Sequence, residues 1–382
     1  MLRKRLAAAA ILSLLIFSSC RGIKITELNE RLIIEAIGID YSDGEYTVTV
    51  QALDSASPAD STKDGENGEL TKTFVFGGKT VGEALDGISL QTGKVPLYSQ
   101  ARILLIGIDT AKENIGASLD FFLREYTTRT DILFAVCEKT AKDTLGAPFG
   151  KNTIGAAVIE TAVRSGVNNG NVVGVPLYKF INLLLDDKSG AFCPVIGVRS
   201  EEMSEDCRVE IIGTALFSDN KLTQTVGRDE TRGLLYLIDR ISSADLAVEA
   251  AGGRFTVRAV DSKTKIKPPV KGGSVFSVSI KTECDITEFE SEDFTKLTTD
   301  AVETVRLRCE EQIKTQAELA LSAAYGEAQC DICRFNRRLW LSNPKRYRES
   351  AGNNGIFDGN FTADITVEVK IRRTGKETLY EN

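Results

Sequence analysis

The chain has 382 residues, 42% of them hydrophobic and 26% charged, with a net charge of −7 and no histidine. That balance is ordinary for a globular protein of two or three domains, and the acidic surplus argues against general nucleic-acid binding. Without histidine the chain lacks the commonest general base, the commonest metal ligand and the usual partner of a Ser or Cys nucleophile.

The chain opens MLRKRLAAAAILSLLIFSSC. Arg3, Lys4 and Arg5 precede an apolar run over residues 6–17, then Ser18, Ser19 and Cys20. This is the form of a secretory leader, and the run falls short of the roughly 20 apolar residues that span a bilayer. The small-small-Cys ending is similar to a bacterial lipobox, in which the Cys gains a diacylglycerol thioether and becomes the first mature residue. Cys20 is therefore the expected lipid site. The other seven cysteines are an odd number in scattered apolar contexts, which suits small buried residues better than a disulfide framework.

In chain order, Tyr46, Val48, Val50 and Ala52 alternate with polar residues as a strand does, and Asp43-Gly44 before them is a hairpin signal. Residues 54–70 read as an exposed polar loop, and 70–76 as a further strand. Thr80-x-x-Glu83 has the pattern of a capping box, followed by Val81, Ala84, Leu85 and Ile88 at helical spacing. The unbroken apolar run at 102–108 predicts a buried strand. Residues 120–125 read as helix, 131–136 as strand, and 152–165 and 176–187 as helices.

Residues 209–217 and 222–226 predict an antiparallel pair around a turn at 218–221. Asp229 and Glu230 beside Arg232 invite a paired-carboxylate reading. Adjacent helix positions do not face each other, however, and acidic residues suit a helix's first turn, so the position reads as a helix start and a candidate partner contact. Residues 265–271, with two prolines, separate this stretch from a strand over 276–286. A helix follows at about 291–324, with Val302, Val305, Cys309, Ile313, Ala317, Ala320 and Ala324 in one stripe.

Cys330-Asp-Ile-Cys333 has the spacing of a redox pair or half a zinc site, but no second CxxC and no His completes a ligand set, so both thiols are expected in packing. Residues 334–349 interleave cations with Phe335, Trp340 and Tyr347. They are expected as a solvated loop with Trp340 buried, with Arg337 and Arg338 as candidate contacts to a partner or to an anionic membrane surface. After a Gly/Asn-rich loop at 352–360, residues 361–371 alternate cleanly as a strand with one wet face.

Four segments behind the lipobox, in order, resemble one family: ELNERLIIEAIGID (27–40), residues 79–107, LDFFLREYTTRTDILFAV (119–136) and GTALFSDNKLTQTVGRDETRGLLYLID (213–239). The family is the Ger(x)C lipoproteins, the C subunits of the nutrient germinant receptors of endospore formers. Where this chain has its CxxC, that family carries an Ala-Asp-Ile-Phe-Gly-like segment. The resemblance implies a lipid-anchored, non-catalytic subunit without cofactors. It would lie on the outer face of the spore inner membrane, beside integral-membrane A and B subunits, and take part in triggering germination.

The expected architecture is α+β: three mixed α/β domains with largely antiparallel sheets behind an N-terminal lipid anchor. Residues 1–19 would be the leader, 20–200 an N-terminal domain, 201–264 a middle domain and 265–382 a C-terminal domain with the long helix. The alternative is a substrate-binding lipoprotein of a membrane transporter, which would show two similar lobes. A lipid-anchored hydrolase would need a convergent nucleophile and base, which the sequence does not offer.

Overall fold

The structure is a computed structural model that describes residues 27–53, 70–125, 128–200, 205–270, 273–291, 297–326, 328–350 and 362–375. The leader, Cys20 and most of the two polar loops expected at 54–70 and 352–360 lie outside them.

Strands β1 (Arg31–Ser42) and β2 (Glu45–Leu53) form the expected hairpin. Asp43 and Gly44 both take positive φ, the two-residue turn whose twist matches the strands. β3 (Thr71–Gly78) pairs with β2. Helix α1 (Val81–Thr92) starts where the capping pattern placed it: the Glu83 amide donates to Thr80 Oγ1 at 3.1 Å, and the Glu83 carboxylate reaches back to the Lys79 amide at 2.7 Å. Next come β4 (Val95–Leu97), β5 (Ile103–Gly107), α2 (Ile108–Arg124), β6 (Leu133–Cys137), α3 (Ala141–Leu145), α4 (Gly155–Asn168), α5 (Leu177–Leu185), β7 (Ala191–Ser200), β8 (Cys207–Ser218) and β9 (Lys221–Val226).

These strands make one nine-stranded sheet, ordered β3-β2-β1-β5-β6-β7-β8-β9, with β4 beside the start of β1. Pairing is parallel from β1 through β5 and β6 to β7, and antiparallel on both flanks. The parallel centre explains the unbroken apolar run of β5. Leu104 and Ile106 face a core shared with α1, α2 and α5, whereas Ile103 and Leu105 face a second cluster beneath α3 and α4.

Helix α6 (Arg228–Leu237) leads from this sheet to the second, built of β10 (Ala244–Ala250), β11 (Gly253–Lys267), β12 (Val275–Ser291) and β13 (Thr362–Arg373) in that order. The long helix α7 (Thr299–Tyr325) and the short α8 (Phe335–Ser342) and α9 (Pro344–Ser350) form the crossover that lets β13 run parallel to β12. The apolar stripe of α7 is buried: Val305, Cys309, Ile313, Ala317, Ala320 and Ala324 pack in the main core with Val278 and Ile280 of β12. The opposite face of this sheet is wet and carries exposed ion pairs such as Arg258–Asp245 at 2.7 Å. β13 is an edge, and the Val369 amide donates to Glu310 of α7 at 2.9 Å, which blunts that edge against strand addition.

The stretch expected as a separate middle domain carries no sheet of its own among the described residues. β8 and β9 belong to the first sheet, with Ser200 paired to Cys207 across the expected boundary at 200. β10 and β11 belong to the second sheet, and the boundary expected at 264/265 falls inside β11. Pro268 and Pro269 end that strand because they cannot supply ladder donors. The helix expected from about 291 begins at Thr299, where the Ala301 amide donates to Thr298 Oγ1 at 3.2 Å.

Candidate functional site

The acidic pair opens α6, as its place in a first turn required. Asp229 is exposed and its carboxylate accepts from Gln316 Nε2 of α7 at 3.0 Å. Glu230 is half-buried. Arg232 departs from the expected surface position: it is 6% exposed. Its guanidinium donates to the Asp245 carbonyl of β10 at 2.8 Å and to Asn171 Oδ1 at 2.6 Å, and burial lowers its pKa. Thr231 joins the same helix to β8 through the Thr214 hydroxyl at 2.9 Å. Arg232 therefore ties α6 to the second sheet and to the loop after α4, and of the three candidates only Asp229 and Glu230 remain open to a partner.

The second candidate region begins where α7 ends. Cys330 and Cys333 are buried free thiols, with Cys330 Sγ 3.4 Å from the Ala191 carbonyl. Burial pushes the Cys330 thiol up to about 12 and raises Cys333 as well. Between them Asp331 is buried and accepts hydrogen bonds from Tyr325 Oη at 2.6 Å, the Phe335 amide at 2.8 Å and the Asn336 amide at 2.8 Å, with the Asn336 side chain a further partner. The carboxylate thus satisfies two orphan amides at the start of α8 and meets its dipole. Burial nevertheless raises Asp331 to about 6.

The basic segment is two helices, α8 and α9, and not a solvated loop. Trp340, expected in the core, is 41% exposed. Phe335 and Leu339, four positions apart, take the buried face, and Phe335 stacks on Phe276 with centroids 4.2 Å apart. Residue 340 is turned about 100° from Leu339 and so faces out. Lys188 lies over its ring at 5.7 Å from the centroid. Arg337 is exposed and pairs with Asp186 at 3.2 Å. Arg338 is half-buried and donates to the carbonyls of Cys333 at 3.1 Å and Ile266 at 3.4 Å.

The structure does not bring the two candidate groups together. Asp229 meets α7 at Gln316 and Asp331 meets it at Tyr325, about 14 Å further along at 1.5 Å per residue. Sequence reasoning missed Lys179 and Arg240, whose pKa values are lowered by burial and by the neighbouring charge of Arg334. They come from separate elements, and no local pattern announces such a cluster. Among the described residues, no group of three or more His, Cys, Asp or Glu is arranged to hold a metal ion. No described helix is long and apolar enough to cross a membrane. A groove of 730 Å³ between α4 and β8 is lined by Phe149, Ile154, Val158 and Val209 without a convergent set of charged groups.

Two unlike sheets joined by α6 and the long α7 define the class, which comparison with known proteins identifies. The family described as Spore germination protein N-terminal domain matches residues 24–198, and the one described as Spore germination B3/GerAC like, C-terminal, matches 212–375. The chain belongs to this spore germination GerAC family. It is 22% identical over 369 residues to Spore germination protein B3 of Bacillus subtilis (strain 168), covering 94% of this chain and 96% of that protein. It is 21% identical to Spore germination protein GerQC of Bacillus cereus over 59% of this chain and 62% of that protein. The solved structure described as the GerBC protein superposes with a TM-score of 0.56 at 18% identity, covering 88% of this chain and 96% of that one, which shows the same fold.

Proposed function

We propose that the chain is the lipid-anchored C subunit of a nutrient germinant receptor, held through Cys20 on the outer face of the spore inner membrane beside integral-membrane A and B subunits. In this reading it takes part in triggering germination by contact and performs no catalysis. The observation that carries the reading is the match of both family domains, 24–198 and 212–375, and the lipobox-like stretch that precedes them and closes on Cys20 supports it. The polar groups of Arg232 and Asp331 support a non-catalytic role, because they are engaged by backbone groups and by the side chains of Asn171 and Tyr325. The unlike nine- and four-stranded sheets speak against the two similar lobes of a transporter's binding protein.

The test is germination of spores whose only nutrient receptor includes this chain. Deleting it is expected to abolish the nutrient-induced fall in optical density while leaving the response to a non-nutrient trigger. Cys20→Ala is expected to remove the lipid label and release the protein from the membrane. Normal nutrient germination in the deletion strain would sink the proposal.

A further inference from the structure

Residues 334–348 carry six cations and no acidic residue, inside a chain whose net charge is −7. Arg334 and Arg337 at the start of α8 and Lys345 and Arg348 on α9 are exposed on either side of the break at Asn343, with Glu349, 3.9 Å from Lys345, the one acidic residue at the segment's end. Trp340, and Leu341 at 65% exposed, share one turn of α8. The end of α5 lies alongside, joined through the Arg337–Asp186 pair and the Lys188–Trp340 contact, and adds Leu185 at 69% exposed. Lys179 and Arg240 extend the positive charge toward Arg334; Arg240 donates to the Gly174 carbonyl at 2.9 Å. Exposed Trp and Leu among Arg and Lys is the composition of a surface that lies in the headgroup zone of an anionic bilayer.

The topology supplies an independent argument. Because β1, β5, β6 and β7 run parallel, the starts of β1 and β7 lie on one edge of the first sheet. The Gly190 amide donates to the Asp331 carbonyl at 3.0 Å, and Cys330 reaches the Ala191 carbonyl, which pins the segment entering α8 to the start of β7. Glu27, just before β1, is on that same side of the sheet, three strand spacings or about 15 Å across and further out along the strand direction, because the register sets Ile34 level with Gly190. The stretch from Cys20 to Glu27 spans at most about 25 Å. A lipid on Cys20 and the basic face can therefore reach one plane together.

The geometry points to the α8–α9 face as a second membrane contact, laid on a bilayer with anionic headgroups, its cations on the phosphates and Trp340, Leu341 and Leu185 in the interfacial zone. This rests on the reading that the chain is held at a membrane, and goes beyond it by orienting the molecule.

Trp340 is the single tryptophan of the chain, so its fluorescence reads this face directly. The lipid-bearing chain, isolated from membranes, is placed on vesicles of phosphatidylcholine alone or with phosphatidylglycerol. On the anionic vesicles Trp340 emission is expected to shift to the blue, acrylamide quenching to fall several-fold and brominated lipid to quench it. Arg337→Glu combined with Lys345→Glu and Arg348→Glu is expected to abolish these changes with the protein still vesicle-bound and its thermal unfolding lowered only by the loss of exposed ion pairs. Equal quenching on both vesicles would overturn the inference, as would shielding that appears only when integral-membrane receptor subunits are added. Failure of the anchor reads separately: protein lost from phosphatidylcholine vesicles, yet retained with blue-shifted Trp340 on anionic ones, supports this face and removes Cys20 from the account.

Discussion

The Tyr325 hydroxyl donates to the Asp331 carboxylate at 2.6 Å, and the same oxygen accepts from the Cys333 amide at 3.0 Å. One phenol thus joins the end of α7 to the turn that starts α8. The carboxylate is buried, and burial raises it from 3.8 to about 6. A carboxyl whose folded pKa lies above its unfolded value holds its proton more tightly in the folded state, so its contribution to stability is full at low pH and is lost as pH rises through about 6. Wild type is therefore expected to lose up to about 3 kcal/mol relative to Asp331→Asn between pH 4 and 6.5. Denaturant midpoints of the two proteins across that range check it; parallel profiles would refute the burial argument. Asp331→Ala removes the helix cap as well and is expected to cost about 2–3 kcal/mol.

Gly233 of α6 lies directly against the backbone of α7. A Cβ at this position would overlap the Gln316 carbonyl and crowd the Ala317 nitrogen, both backbone atoms that no rotamer change can move. Gly233→Ala must push the helices apart, although alanine is the better helix former. A loss of about 2–4 kcal/mol is expected from overpacking, read as a lower denaturant midpoint. An unchanged or raised midpoint would mean that α6 and α7 separate at no cost.

Arg232 and Arg337 are expected to separate cleanly. Arg232→Met leaves the Asp245 carbonyl and the Asn171 amide oxygen without their donor, and about 2–4 kcal/mol of stability should be lost. Arg337→Glu breaks an exposed pair with Asp186 and should change stability by about 1 kcal/mol or less. Thermal unfolding of both variants tests the contrast, and equal losses would mean that Arg232 does not hold α6 to the second sheet.

Thiol reactivity should follow burial. Cys207 is half-exposed, whereas Cys137, Cys193, Cys284, Cys309, Cys330 and Cys333 are buried. At pH 8 an alkylating reagent is expected to label Cys207 first among these seven, with the other six reacting only after denaturant is added. Rapid labelling of Cys330 or Cys333 in the folded protein, or stoichiometric bound zinc, would contradict their place in the packing.

Much of the fold was legible in local signals. The Asp43-Gly44 hairpin, the cap at Thr80, the doubly buried run of β5, the stripe of α7 and the alternation of β13 each follow from turn chemistry or from a repeat of 2 or 3.6 residues. These depend on neighbours in sequence, so sequence suffices to read them. The hairpin of β10 and β11 alternates equally well, but the buried positions of β10 other than Leu246 are Ala244, Val248 and Ala250, and the weak contrast hid it.

The membership of each strand, and what each side chain faces, were settled only in three dimensions. The described strands between 205 and 264 divide between two sheets because β8 finds its partner in β7 and β11 finds its partner in β12. Phe335, and not Trp340, enters the core because Phe276 and Tyr325 offer it a stacked site. Arg232 is buried because Asn171 and Asp245, far away in sequence, converge on its guanidinium. Periodicity states which residues share a face; the partner of that face is chosen by packing between distant segments, which no local window contains.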